Sequence, residues 1–355
     1  MISASNVIEV NKEKKDKLFE LDYMRFIACF AVIIVHITAT GVTGYIHGSF
    51  PHIATLIINR SLKFTTPIFI FLSGVTSFYS YRKKEFKYLP FIKKRLEKVL
   101  VAYLFWCLIY YAVYIKLGIH NSFDIKFLID NIRLGTMSYH LYFVIIIVQM
   151  YIVGPVFYKM LKNSDKKIAI LIIFAIITML CAEFIRFENS DRLFAKYMFF
   201  YILGIYVTLE YDKFISFINK YKFLITAGYI IMSAIYTYVS FKDMTIYMYV
   251  WFVFSVFAVF FVYSVGLWLK KILGKIYGFI KLFGQSSYYI YLMHPLVLTL
   301  AIMYTDNNGI LSITKRIIIY SATVMPITII SCLAFTAIRN KIKKNRKAAL
   351  AASSN

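Results

Sequence analysis

An all-α bundle of about ten membrane-crossing helices is the fold class this sequence predicts, and three observations predict it. Apolar runs of bilayer length recur along almost the whole chain, and a span needs about 20 such residues. The composition is 60% hydrophobic with a mean hydropathy of +0.68, greasier than the core of a 355-residue soluble protein requires. Most of the 41 Lys and Arg residues fall on alternate connections, the bias that keeps basic segments in the cytoplasm. An even number of spans then puts both termini inside. The expected organisation is a basic N-terminal tail at 1–20, one transmembrane domain at 21–338 and a basic C-terminal tail at 339–355. The net charge of +24 is explained by this topology, and no zinc, RNA-recognition or helix-turn-helix pattern points to nucleic acid.

The first span, 21–43, is preceded by about twenty mostly polar residues and is too long for a signal h-region, so it is expected to be retained. It carries Arg25 near its start and His36 deeper in. Eleven residues at 100° each bring the two onto nearly one face, about 16 Å apart along the axis. Ionisable groups at such depth are costly and usually face a bundle interior or a wet cavity. Each has an ordinary reading, snorkelling for Arg25 and an interhelical hydrogen bond for His36. Their shared face describes a path from the inner surface into the bilayer. A neutral imidazole there can take a proton from a hydroxyl and return it.

The second span, 53–80, holds Arg60 and Lys63 in its outer half, free to snorkel, to pair with Glu183 of the fifth span, or to bind an anionic acceptor. The inner segment 82–98 follows, with Lys94, Arg95 and Lys98 among its basic residues. It reads either as a topology anchor touching anionic membrane lipids or as a dock for a phosphorylated cytosolic ligand. The third and fourth spans are 97–116 and 139–160; His140 and Tyr142 open the latter and Gln149 lies within it. Spans at 167–185, 193–210, 222–240 and 246–268 come next. The ninth, 284–304, contains His294 beside Pro295, whose ring frees the carbonyl of Tyr291 from the helix ladder. The tenth is 310–338. Cys29, Cys107, Cys181 and Cys332 lie in apolar segments and read as small buried hydrophobes. No Ser-His-Asp order, nucleophile elbow or metal-ligand spacing is evident, so no metal and no bound cofactor are expected.

These residues resemble the acyltransferase-3 membrane family. Arg25 to His36 matches its Arg-x10-His signature, followed in order by PIFIFLSGVTSF (67–78), KKRLEK (93–98) and YHLYFVIIIVQMYIVGPVF (139–157). YMFFYILGIYV (197–207) and SYYIYLMHPLV (287–297) complete the series, so the resemblance covers nearly the whole chain. It implies an inner or plasma membrane O-acyltransferase of bacterial type. Such an enzyme moves an acyl group, commonly acetyl, from cytosolic acyl-CoA as co-substrate to a sugar hydroxyl of a cell-envelope glycan or lipid-linked acceptor. The family's essential Arg and His fall on Arg25 and His36, expected here as the catalytic pair. Its basic Arg-x-x-Arg falls on Arg95 and Lys98, which with Lys94 are the expected acyl-CoA contacts. Lys98 departs from the pattern and lacks the planar fork for bidentate phosphate binding. Val101 stands near the place of a frequent proline, and Leu141–Phe143 where the family often has Trp. Arg60, Lys63, His140, Glu183 and His294 are the acceptor-side candidates. One branch of the family, that of the intercellular adhesion protein C, is described as an exporter or modifier of poly-N-acetylglucosamine. The Gln-containing fourth span and the expected lack of an appended extracellular domain are similar to it. An exopolysaccharide exporter is therefore the alternative, with buried charges lining a pathway; an inactive partner-binding subunit is a third reading.

Overall fold

The computed structural model describes residues 18–352. Lys12, Lys14, Lys15 and Lys17 of the expected N-terminal tail lie outside the described residues. The fold is all-α, 84% helical and without strands among the described residues. In chain order the helices are α1 (Glu20–Gly44), α2 (Phe50–Ser61), α3 (Thr65–Phe78), α4 (Tyr88–Lys116), α5 (Ile125–Leu134) and α6 (Tyr142–Lys162). They continue as α7 (Lys167–Phe184), α8 (Met198–Leu209), α9 (Tyr211–Phe241), α10 (Tyr247–Ile272), α11 (Tyr277–Asn307) and α12 (Ile313–Ala352). Nine helical segments among the described residues are long and apolar enough to cross a membrane.

Four departures from the expected layout have local causes. The second span breaks at 62–64 into α2 and α3. Pro67 falls in the first turn of α3, where its missing N–H costs nothing, and the break leaves Lys63 on a turn inside the bundle. The basic stretch 82–98 is a loop only as far as Lys87; from Tyr88 it is the first turns of α4. The sixth span contributes only α8, whose 12 residues make about 18 Å of helix. It still runs the bundle's way back, because Glu210 at its end pairs with Lys167 at the start of α7, 3.0 Å apart. Finally, α5 is a short amphipathic helix in a segment where no element is expected. Asp124 caps it by accepting from the N–H groups of Lys126 and Phe127 at 2.8 and 3.1 Å, and Gly135 ends it in the left-handed region (φ 68°). The expected boundary at 338 coincides with no break, since α12 continues helical to Ala352.

α1 is the central helix, packing against α2, α3, α10, α11 and α12. The tightest contact is between α3 and α8. A Cβ on Gly74 would lie 2.2 Å from the Tyr201 carbonyl oxygen, and one on Gly204 would lie 2.3 Å from that of Phe71. Bare backbones meet there, as small residues allow in membrane bundles. At one end of the bundle Glu20, fully buried, accepts from Tyr211 (2.7 Å), Tyr263 (3.2 Å) and Lys270 (3.0 Å). These contacts tie the start of α1 to the start of α9 and the end of α10. α12 brings Arg339 to the same end, so both described ends of the chain lie on one side.

Candidate active site in two cavities

α1 passes two cavities, and Arg25 and His36 face different ones. The larger, about 380 Å³, is lined by Arg25, Arg95, Lys98 and Arg339 together with Asp22. Four cations against one carboxylate make it an anion-attracting chamber. Asp22 accepts from Arg25 at 2.7 Å and from Tyr277 at 2.8 Å. Gly284 makes room for that carboxylate, since a Cβ there would stand 2.8 Å from Asp22 Oδ1. Arg95 is oriented by donating to the Thr76 carbonyl at 2.5 Å, with the rings of Phe91 and Tyr151 each 5.8 Å from its guanidinium. Arg339 donates to the Tyr289 hydroxyl and lies 5.1 Å over that ring.

The second cavity, about 240 Å³, is lined by His36, Lys63 and His140 among Tyr and Trp rings, including Tyr139, Tyr142 and Trp251. His36 is half-buried, and neither ring nitrogen hydrogen-bonds to protein among the described residues. Its ring lies 4.9 Å from Tyr139 and 5.2 Å from His294. His294 in turn lies 5.5 Å from His140. Three histidines from α1, the turn before α6, and α11 therefore meet. His294 is fully buried behind the cavity wall, its Nδ1 3.0 Å from the Ile290 carbonyl and its Nε2 unpartnered. A carbonyl can only accept, so Nδ1 carries a proton. His140 has Nδ1 3.2 Å from the Ser138 hydroxyl, and its Nε2 is likewise buried without a partner. The cluster is no metal centre: no group of three or more His, Cys, Asp or Glu among the described residues could hold an ion.

Phe143 and Tyr291 line both cavities. Their rings meet edge-to-face at 5.3 Å, and the Tyr291 hydroxyl donates to the His140 carbonyl. The path expected along one face of α1 is thus two chambers parted by an aromatic wall. The other expected residues divide as follows. Lys63 and His140 join His36 at its cavity, and His294 backs it. Arg60 does not reach it, since its guanidinium donates to Ser240 (2.5 Å) and Asn59 (2.6 Å). Glu183 pairs with Arg186 rather than with Arg60 or Lys63. Lys94 lines neither cavity and faces outward on α4. Gln149 serves packing, bracketing Arg192 and Phe194 at 2.9 and 3.2 Å. Sequence reasoning missed Asp22 and Arg339. The first was visible as an acid three residues before Arg25 on a helix; the second reads as one more basic tail residue until α12 is placed.

A family model described as "Acyltransferase domain" matches residues 18–337, which include every lining residue of the two cavities but Arg339. The chain belongs to the acyltransferase-3 family. That membership supports acyl transfer as its chemistry. Among similar proteins, a "Probable poly-beta-1,6-N-acetyl-D-glucosamine export protein" of Staphylococcus aureus (strain MSSA476) is 26% identical over 324 residues, covering 82% of this chain and 85% of that protein. A Staphylococcus epidermidis protein of the same description is 26% identical over 321 residues, covering 82% and 84%. No solved structure matches this acyltransferase-3 member.

Proposed function

We propose that the protein transfers an acyl group, acetyl foremost, from cytosolic acyl-CoA to a hydroxyl of a cell-surface or lipid-linked polysaccharide. The observation that carries this is the pair of cavities on one helix, one polycationic and one aromatic with a half-buried histidine, sharing the Phe143–Tyr291 wall. In this reading the Arg25 end faces the cytoplasm. The phosphates of the donor rest against Arg25, Arg95, Lys98 and Arg339, where charge-assisted contacts are strong. The Tyr and Trp rings around His36, each with an apolar face and a polar tip, suit a sugar acceptor. His36 takes the hydroxyl proton, the oxygen attacks the thioester carbonyl, the C–O bond forms as the C–S bond breaks, and His36 returns its proton to the departing thiolate. His294 packs against that ring, and His140 packs against His294.

The test is acyl transfer by purified protein in vesicles with acetyl-CoA inside. Folded His36→Gln should lose about 10²–10⁴-fold, the usual worth of a general base; unchanged transfer would sink the proposal. The names of the staphylococcal relatives favour one second reading, a component exporting an exopolysaccharide. Export predicts glycan flux that needs no acyl-CoA and survives His36→Gln.

A further inference from the structure

A third opening, about 760 Å³, lies on the outside of the bundle between α4, α11 and α12. On α4, Lys94 and Lys98 lead into Val101, Ala102 and Phe105; on α12, Cys332 and Phe335 lead into Arg339 and Lys343. The two helices run in opposite senses, so their basic turns meet at one end and their apolar stripes lie side by side. From basic turn to far end each helix covers twelve residues, about 18 Å, of which the apolar part, 101–106 on α4 and 332–335 on α12, is about 6–9 Å and lies within the ~15 Å hydrocarbon depth of one leaflet. Val101, Phe105 and Phe335 are 67%, 60% and 51% exposed. Glu97 is the one acid on the rim, and it is engaged by Lys93 at 4.0 Å. Arg339 Nε is buried with no partner among the described residues, a donor left over at the cationic end.

We propose that this groove binds an anionic glycerophospholipid, its phosphate among Lys94, Lys98, Arg339 and Lys343 and one acyl chain along the α4–α12 stripe. Charge complementarity selects the headgroup, and the exposed apolar side chains beside the cations select a lipid over a soluble anion. Lys98, Tyr289 and Arg339 line both the groove and the four-cation cavity. The Arg339–Tyr289 pair is therefore the partition between them, and the bound phosphate steadies it from the membrane side.

The experiment is native mass spectrometry of the detergent-purified chain, titrated with phosphatidylglycerol or phosphatidylcholine. Two variants change the groove by unrelated means: Lys94→Gln with Lys343→Gln removes charge, and Ala102→Trp fills the apolar stripe. The wild type should take phosphatidylglycerol in preference. The charge variant should bind it about thirty-fold more weakly, as expected for two cations facing anionic headgroups, with phosphatidylcholine unmoved. Ala102→Trp should lose both lipids while keeping the wild-type unfolding temperature. Equal affinity for the two lipids overturns the proposal, as does wild-type binding by either variant. Displacement of phosphatidylglycerol by glycerol phosphate alone would show a soluble-anion site instead.

Discussion

Lys98 stands where the resemblance expects a second Arg three residues after Arg95, and both side chains line the four-cation cavity. Arg95 is already held by the Thr76 carbonyl, so its fork points one way, whereas an ammonium on Lys98 is a point charge with free rotation. Neutralising both, Arg95→Gln with Lys98→Gln, should raise the Kd for acetyl-CoA by at least ten-fold in equilibrium dialysis. Lys98→Arg, which restores the fork, should leave it equal or tighter. An unmoved Kd in the double variant would remove the donor from this chamber. The histidine cluster teaches a different lesson. His36 could be read from one helix and one period, but its company of His140 and His294 depends on contacts between residues more than a hundred positions apart. No local pattern carries that information.

Among the elements, the crossing of α3 and α8 has the least tolerance. With Gly74 and Gly204 backbones in contact, Gly204→Ala must push the helices apart, at a cost in the range of about 1–3 kcal/mol typical of overpacking. A lowered midpoint in a thermal melt followed by tryptophan fluorescence checks this, and Gly278→Ala, where an added Cβ meets nothing within 4 Å, is the control. Apolar length and charge bias made most helices legible. They misjudged α8, whose 12 residues are short because two 3-10 turns, Ser190–Arg192 and Phe194–Lys196, precede it. The break at Lys63 was hidden for a related reason: hydropathy averages over a turn whose backbone N–H groups still bond locally, Leu62 to Ile58 and Lys63 to Arg60. α5 was legible in principle from Asp124 and Gly135, whose capping signals bracket ten residues.

For the whole molecule, the side of the membrane on which each end lies is open to direct measurement. A cysteine at Glu85, in the turn before α4, should label only from the cytoplasm, and one at Asn308, between α11 and α12, only from outside. Native Cys29, Cys107 and Cys332 are buried and should give little background once the half-buried Cys181 is replaced by Ser; the reverse pattern would invert the donor and acceptor chambers. The Phe143–Tyr291 wall has a bearing on the living cell beyond catalysis. A protein with vestibules on both membrane faces would risk short-circuiting the proton gradient, and here Phe143 and Tyr291 are the side chains that line both cavities. Phe143→Ala with Tyr291→Ala should therefore make reconstituted vesicles leak protons, seen as faster decay of an imposed pH difference, while the wild type stays tight. Reshuffling of those rings during turnover would have to admit an acyl group without ever admitting a file of water.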